Sequence, residues 1–384
     1  MNGAKPPRGG EFLTYSLITN LDTDKFNPLV IYAKEGVIVK KIKQTDINTI
    51  ELTLPDRLTG IYPRKIKLYS PLFLFTLLWD LVTSRCLFRL KKLILENDIQ
   101  LIYCADNLSK LIGGMVGKMT NVKVVAHCHD DFKEDALGKI MRRTYLIFLD
   151  RILTVSDKVR RFFKVGQKIS PKAVTVYGGI DTRLYDPDKT KTDIRSELGL
   201  DKDAFVIGSI GVIEEDKGHI YLLKAVAKLI SEGIDISAVI CGTGHKEEFL
   251  KKFVEDENLN ENIFFPGFRK DIPEVLKALD IFVMTSMTIE SLSIVTLEAM
   301  AMRNPVIATN IGGLPEVVVD GETGIIIEPC NADVLADSIK YLLENPEKRF
   351  QMGQQGRKRV CEHFTIEKNV RKTEEVFLET LGVV

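Results

Sequence analysis

The chain has no surplus charge of either sign: across 384 residues, 53 lysines and arginines meet 53 aspartates and glutamates. Bulk electrostatics therefore favours neither nucleic acid nor a polyanionic partner. No basic stripe interleaved with aromatics supplies a nucleic-acid footprint either. Cysteine is sparse: the six (Cys86, Cys104, Cys128, Cys241, Cys330, Cys361) are scattered, most of them inside apolar runs, and none forms a CxxC pair. That argues against a disulfide framework or a zinc site and fits a reducing cytosol. Long apolar runs are missing too, since Pro71–Trp79 is short and soon interrupted by Asp80 and Arg85, too little to cross a bilayer. Met1–Gly10 is polar and rich in glycine and proline, unlike a signal peptide. The glycine motifs are incomplete. LIGGMVGKMT (Leu111–Thr120) fails the GxxxxGK[ST] spacing, and CGTG (Cys241–Gly244) lacks the third glycine of a dinucleotide fingerprint. The first suits close packing of a helix on a sheet. The second suits a tight turn lining a nucleotide cleft.

What is present is a regular alternation of apolar runs, with 45% hydrophobic content, enough for two domains with sizeable cores. PPRGGEF (Pro6–Phe12) reads as a loop, followed by a helix with Leu13, Leu17 and Leu21 at four-residue intervals. The Gly9-Gly10 pair either lets backbone approach a ligand or is a plain turn. Short strands are predicted at Leu29–Ala33, Val37–Val39 and Thr49–Leu54. Ser70–Glu96 has two readings. It is a membrane-surface element with Phe73, Phe75 and Trp79 inserted and Arg85, Arg89, Lys91 and Lys92 on headgroups, or a core helix with a solvated basic end. Three strand-helix repeats follow, at Ile99–Asp106, Val122–Asp130 and Arg151–Ser156, which predicts a parallel sheet covered on both faces. Ligands of such sheets collect at the carboxyl ends of strands, where His127, His129 and Asp130 fall. Two histidines at that spacing suggest metal chelation, but no other ligand cluster supports it, and a metal is not expected.

The most informative stretch is Ile281–Gly313. It predicts a buried strand (Ile281–Thr285), a polar loop, a helix from about Ser293 to Met302, and a second strand (Pro305–Ala308). Ile294, Leu297, Met300 and Ala301 recur at helical intervals, with Ser293 available as the N-cap. Glu290 in the loop and Glu298 in the helix are separated by seven residues, which puts Glu298 about 7.5 Å down the helix axis. The two acids thus cannot act together as a general acid/base pair. They suit two hydroxylated ends of one long ligand, with phosphate at the amide-lined helix mouth between them. A nucleotide sugar has that layout.

In order and spacing, Glu290, Glu298, Ala299-Met300-Ala301, Pro305-Val306-Ile307 and Gly312-Gly313-Leu314-Pro315-Glu316 resemble glycosyltransferase family 4. That resemblance implies the α/β GT-B fold: two doubly wound parallel-sheet, Rossmann-like domains facing a cleft. It places the acceptor side at 1–180, the nucleotide-sugar domain at 181–365, and a final helix, 366–384, crossing back to the first domain. It implies a retaining, metal-independent transfer of a hexose from a UDP-, GDP- or ADP-linked donor to a sugar or lipid-linked acceptor. No cofactor is implied. The expected setting is the cytoplasm, with peripheral contact to the inner face of the membrane, in envelope polysaccharide or glycolipid synthesis.

By the same resemblance His129 reaches the donor hexose, Gly9 and Gly10 line the cleft, Glu290 binds hexose hydroxyls and Glu298 the ribose diol. Lys217, in GVIEEDKGHIYLLKA (Gly211–Ala225), offsets diphosphate charge. Ser293, Ile294 and Val295 lie by the phosphates, Gly211 and Gly242 bind the donor, Gly267 and Phe268 lie by the base, and Gly313, Pro315 and Glu316 around the sugar. The chain departs from the family pattern in three places. An opening apolar strand is missing, which implies a truncated start or a sheet short of one strand. Gly178 replaces an asparagine in VYGGIDTRLYDP (Val176–Pro187), before the expected linker DPDKTKTD. Val212 replaces an arginine, and losing a cation weakens leaving-group stabilisation. The alternatives are a weakly active or inactive nucleotide-sugar-binding paralogue, or a nucleotide-sugar epimerase of the same fold. Toward the end, Thr365 is expected to cap a last helix whose apolar side carries Val370, Val376, Phe377 and Leu381.

Overall fold

The computed structural model describes residues 9–54, 85–129, 135–192 and 194–383. Phe73, Phe75, Trp79 and Asp130 lie outside the described residues. The chain forms two compact units. One comprises the described residues up to Val155, Val159–Val176 and those from Asn369 onward; the other is Ser156–Lys158 with Tyr177–Lys368.

The first unit contains a two-stranded parallel sheet, β1 (Leu29–Tyr32) and β2 (Asn48–Glu51). Its main sheet has four strands: β3 (Leu101–Cys104), β4 (Lys123–Cys128), β5 (Arg151–Thr154) and, beyond the short antiparallel pair β6 (Lys164–Val165) and β7 (Lys168–Ile169), β8 (Ala173–Thr175). The order β3-β4-β5-β8 is parallel throughout. Its helices are α1 (Gly9–Asn20), α2 (Val37–Ile42), α3 (Cys86–Glu96), α4 (Asn107–Thr120) and α5 (Ala136–Phe148).

Gly113 and Gly117 sit on the sheet-facing side of α4, and Gly114 packs against Phe148 at the end of α5. A Cβ on Gly117 would lie 2.2 Å from Val124 and one on Gly113 2.5 Å from Cys104. The glycines of LIGGMVGKMT thus permit close packing. Val37–Val39, expected as a strand, is the start of α2. Its β-branched residues favour a strand, but Ile42 is buried and the tertiary fit overrides local preference. Gly9 and Gly10 open α1, where a loop was expected, and α1 ends at Asn20, before Leu21.

The second unit is a six-stranded parallel sheet: β9 (Val206–Ile210), β10 (Ser237–Cys241), β11 (Ile263–Gly267), β12 (Ile281–Met284), β13 (Val306–Thr309) and β14 (Gly324–Ile327). Each matches one of the continuous apolar runs in this half of the sequence. This unit also holds α7 (His219–Ser231), α8 (Glu247–Asp256), α9 (Ile272–Lys277), α10 (Ile294–Ala301), α11 (Leu314–Val317), α12 (Ala332–Glu344) and α13 (Pro346–His363), together with the first residues only of α6 (Asp157–Arg161) and of α14 (Ile366–Leu381), whose remaining residues belong to the first unit. The strand order is β11-β10-β9-β12-β13-β14. The chain leaves β9 toward one edge and β12 toward the other. Between these neighbours lies the switch point, and ligands of open α/β sheets bind at its carboxyl side.

The opening of α14 follows the sequence reading. Thr365 Oγ1 accepts from the Lys368 amide at 3.3 Å, and Val370, Val376 and Phe377 are buried. Within the first unit Phe377 meets Phe26 and Tyr103 edge-on.

The first three residues of DPDKTKTD, with Tyr185 before them, are held by cations from later elements. Arg357 donates to the Tyr185 carbonyl at 2.8 Å and lies 3.5 Å from Asp186, Lys277 donates to the Pro187 carbonyl at 2.8 Å, and Arg303 forks onto Asp188. The helix α13 approaches the turn after α10 so closely that a Cβ on Gly353 would lie 2.1 Å from the Arg303 carbonyl oxygen, whereas one on Gly356 would meet Met300 at an ordinary 3.5 Å. Gly353→Ala is therefore expected to lower the thermal midpoint by several degrees, the equivalent of about 2–3 kcal/mol of overpacking. Gly356→Ala is expected to be neutral or to raise it, as alanine improves helix propensity by up to about 1 kcal/mol. Paired melting curves of the two variants check this.

Candidate active site

Two loops in the second unit leave the strands that flank the switch point. After β9, a short 3₁₀ turn (Glu215–Lys217) presents Lys217. Gly218 then takes φ +66°, and any Cβ there would collide with the Thr285 carbonyl at 2.2 Å. After β12, the loop presents Glu290. Lys217 Nζ lies 2.6 Å from Glu290 Oε2, and the Ser286 hydroxyl donates to the same oxygen at 3.0 Å. Thr285 Oγ1 donates to the Lys217 carbonyl at 2.9 Å, so the strand end fixes the lysine's backbone as well. The lysine is 26% exposed and the acid 11%, shielded enough to strengthen the pair and open enough to be reached. The main chain of Glu290 is fixed from the other side. Gly313 donates to its carbonyl at 2.8 Å, and a Cβ on Gly312, which adopts φ +61°, would lie 1.7 Å from that oxygen.

The helix α10 begins immediately beyond. Ser293 has φ +68° and ψ 87°, and its side chain caps no backbone amide. Its hydroxyl instead meets Thr296 Oγ1 at 2.8 Å. This corrects the expected serine cap: an αL residue turns its side chain away, and no capping side chain competes at the mouth formed by Ile294 and Val295. Glu298 lies deeper in α10. Its Oε1 accepts from the Tyr185 hydroxyl at 2.6 Å, and burial pushes its pKa up to about 7, against the lowering effect of that hydrogen bond. Tyr185 was not anticipated, because nothing in local spacing links it to a glutamate in a distant helix.

Gly211, Gly242 and Gly267 lie at the carboxyl ends of β9, β10 and β11. Gly242, at φ +144°, packs a would-be Cβ 1.8 Å from the Gly211 carbonyl. The Gly211 amide donates to Cys241 and that of Gly242 to Gly267, both at 2.9 Å. A Cβ on Gly211 or Gly267 would meet nothing within 4 Å, so both face open space. Phe268, at the next turn, is 52% exposed. CGTG is a turn after β10, and α8 starts only at Glu247. Val212, at the position of the family arginine, is 55% exposed.

Glu316 is committed elsewhere. Its carboxylate accepts from the amides of Asp157 and Lys158, both at 2.7 Å, and from the Tyr177 hydroxyl at 3.0 Å. It caps the start of α6, while Pro315 starts the short helix α11.

In the first unit His127 and His129 end β4 with their rings stacked, centroids 4.2 Å apart. The Tyr103 hydroxyl lies 2.9 Å from His127 Nδ1. The ring nitrogens of His129 are buried without a hydrogen-bond partner, and a Cβ on Gly10 would lie 3.1 Å from that ring. Burial, helped by the charge of Lys110, pushes the His129 pKa down to about 3. The ring is neutral at physiological pH and suited to hydrogen bonding. Gly9 lies one position earlier in α1. Among the described residues no cluster of three or more His, Cys, Asp or Glu could hold a metal ion, and no helix is long and apolar enough to cross a membrane.

Residues 9–184 match the model of Glycosyltransferase Family 4, and residues 190–359 that of glycosyl transferases group 1. The chain belongs to the family 4-like glycosyltransferases of GT-B fold. Among the structures similar to this glycosyltransferase is Anabaena HepE in complex with UDP-glucose, at TM-score 0.78 and 20% identity, covering 97% of both chains. A glycosyltransferase from Rickettsia africae aligns at TM-score 0.80 and 20% identity, covering 97% of this chain and 94% of that one. Among curated relatives, the N-acetyl-alpha-D-glucosaminyl L-malate synthase of Bacillus anthracis is 30% identical over 207 residues, 54% of each chain. The chain spans about half the length of that relative.

The environment of Glu298 makes a pH prediction. Its folded pKa, about 7, lies above the unperturbed 4.5, so the folded state holds its proton more tightly than the unfolded chain. Below pH 4.5 both states are protonated and the site is neutral in its effect. As pH rises from 4.5 through 7 the unfolded state ionises first and stability falls, by on the order of 2–3 kcal/mol. Glu298→Gln should abolish that component: the difference in melting temperature between variant and parent should grow in the variant's favour from pH 4.5 to 7.5.

Proposed function

We propose that this glycosyltransferase moves a hexose from a nucleoside-diphosphate sugar to an acceptor hydroxyl with retention of anomeric configuration. The observation that carries the reading is the pairing of Lys217 with Glu290 beside the open mouth of α10, with the second acid, Glu298, inside that helix. Glu290 accepts from the hydroxyls of the hexose, while Glu298 accepts from the ribose diol, since each carboxylate can take two adjacent O–H donors. The amides of Ile294 and Val295 meet the diphosphate. Lys217, already positioned, balances the charge that grows on the leaving phosphate. In the transfer the anomeric C–O bond to phosphate breaks, a C–O bond to the acceptor oxygen forms on the same face, and the acceptor's proton passes to the departing phosphate. No side chain is assigned as a covalent nucleophile. Complexes with UDP-glucose in the structurally similar HepE agree with a nucleotide-sugar donor. Phe268, half exposed in the turn after β11, is the side chain we assign to lie against the base.

Screening UDP-, GDP- and ADP-sugars for thermal stabilisation identifies the donor. With that donor, Glu290→Gln is expected to reduce transfer at least about 100-fold, the scale of losing one transition-state contact, while nucleoside-diphosphate affinity changes little. A glycosyl-enzyme adduct seen by mass spectrometry would overturn the same-face step. A second reading is favoured by Val212: a nucleotide-sugar-binding paralogue without turnover, which would bind the donor tightly and respond in no way to Glu290→Gln.

We also propose that the acceptor is a sugar or lipid-linked, and that the first unit contacts anionic membrane through α3. Phe88 and Leu95 are 61% and 59% exposed, seven positions apart on that helix, with Arg89 and Lys92 between them. Phe88→Asp/Leu95→Asp should lose co-sedimentation with liposomes containing phosphatidylglycerol. Equal co-sedimentation of parent and variant removes the idea.

A further inference from the structure

We propose that Tyr185 is the positioning residue of the ligand carboxylate Glu298: it occupies Oε1, so that Oε2 alone meets the ribose. The inference rests on the donor reading above, and adds a residue that neither motif spacing nor the family pattern assigns. Glu298 receives one side-chain hydrogen bond among the described residues, from the Tyr185 hydroxyl at 2.6 Å. Its other oxygen remains available. The tyrosine is 7% exposed, and burial holds its hydroxyl protonated far beyond physiological pH, so it donates at every pH the protein meets.

The placement is built, not incidental. One guanidinium nitrogen of Arg357, on α13, donates both to the Tyr185 carbonyl at 2.8 Å and to the Ala301 carbonyl at the end of α10 at 2.6 Å. Three cations from three places, Arg357, Lys277 on α9 and Arg303 after α10, hold residues 185–188 in a row. The ring therefore reaches Glu298 from a segment that cannot drift. A carboxylate in a helix interior would otherwise rotate about its last torsion, which is broad and nearly two-fold. Pinning Oε1 fixes that rotation before the ligand arrives and removes its entropy cost from binding.

The same hydrogen bond favours the ionised acid, the form that accepts from a diol. The other charged groups around this contact are Glu274 on α9, Asp186, and the cations Arg357, Lys277 and Arg303. The three cations are engaged by the carbonyls and aspartates already described. Burial works the other way and holds the Glu298 pKa up at about 7, so the Tyr185 hydroxyl is the contact that offsets it.

The test is calorimetric titration with UDP, GDP and ADP of the full chain, its Tyr185→Phe variant and its Glu298→Gln variant, from pH 6 to 8.5. Tyr185→Phe keeps the buried ring and removes one hydroxyl. It is expected to raise the dissociation constant of the bound nucleotide about 5- to 10-fold at pH 7, the worth of one ordinary hydrogen bond. It is also expected to shift the pH midpoint of affinity upward, and to approach the parent's affinity at pH 8.5. Ionisation of the ligand phosphate is common to all three proteins and cancels in the comparison. In turnover the change should fall on donor KM more than on kcat. A Tyr185→Phe variant with unchanged affinity and midpoint, where Glu298→Gln still loses binding, overturns this proposal and leaves the donor reading standing. A purely structural tyrosine would show a loss independent of pH, which overturns it as well. Unchanged binding in Glu298→Gln overturns the donor reading itself.

Discussion

A half-buried ammonium and a more deeply buried carboxylate, 2.6 Å apart, tie together the two loops that leave β9 and β12. The sheet order forces those loops apart, because the chain turns toward opposite edges after each of these strands. Without a link the switch point would be a gap bordered by two independent loops. The Lys217–Glu290 pair closes it, and removing either partner would leave the other charge shielded from water and unpaired, the costly way to break such a pair. Around it the backbone is packed to the point where side chains do not fit. Gly218 on one loop and Gly312 opposite the other each lie against a carbonyl that a Cβ would strike. The glycines at these places thus serve the geometry of a cation and an acid.

Much of this was legible in the residues. Continuous apolar runs mark all six strands of the second unit because both faces of that sheet are covered, so neither face needs polar residues. The spacing of Glu290 and Glu298 was readable for a similar reason: a helix start converts sequence distance into axial distance. What spacing does not contain is partners. Glu316 follows two glycines and a proline in the expected order, yet its oxygens are taken by the amides of Asp157 and Lys158, far away in sequence. Tyr185 sits in a stretch whose aspartates, lysines and threonines read as a solvated linker, and the fixed cations that clamp it come from three later elements. Val37–Val39 failed for the converse reason: three β-branched residues carry a strand preference weaker than the burial of Ile42 one turn on.

The two acids that spacing assigns to one ligand occupy opposite environments, and the contrast sorts their work. Glu290 faces a cation and a hydroxyl, so its charge is already balanced before anything binds. Glu298 faces a neutral hydroxyl and apolar helix, and burial brings it to the edge of protonation. A dianionic diphosphate approaching this unit therefore meets one ammonium already partnered and one acid that is partly neutral, with Val212 where a second cation would have stood. Side-chain charge contributes little net attraction. The remaining source is the backbone: the first turn of α10, left uncapped by the αL geometry of Ser293, with small residues before it that let phosphate come close. Positive potential at a helix mouth is fixed in direction and costs no side-chain ordering. On the proposed donor reading, a site that relies on it gains selectivity for a ligand of defined length, since phosphate would sit at the mouth while hydroxyls would reach Glu290 on one side and Glu298 on the other. The absence of the arginine is thus matched by a site whose geometry, more than its charge, does the selecting.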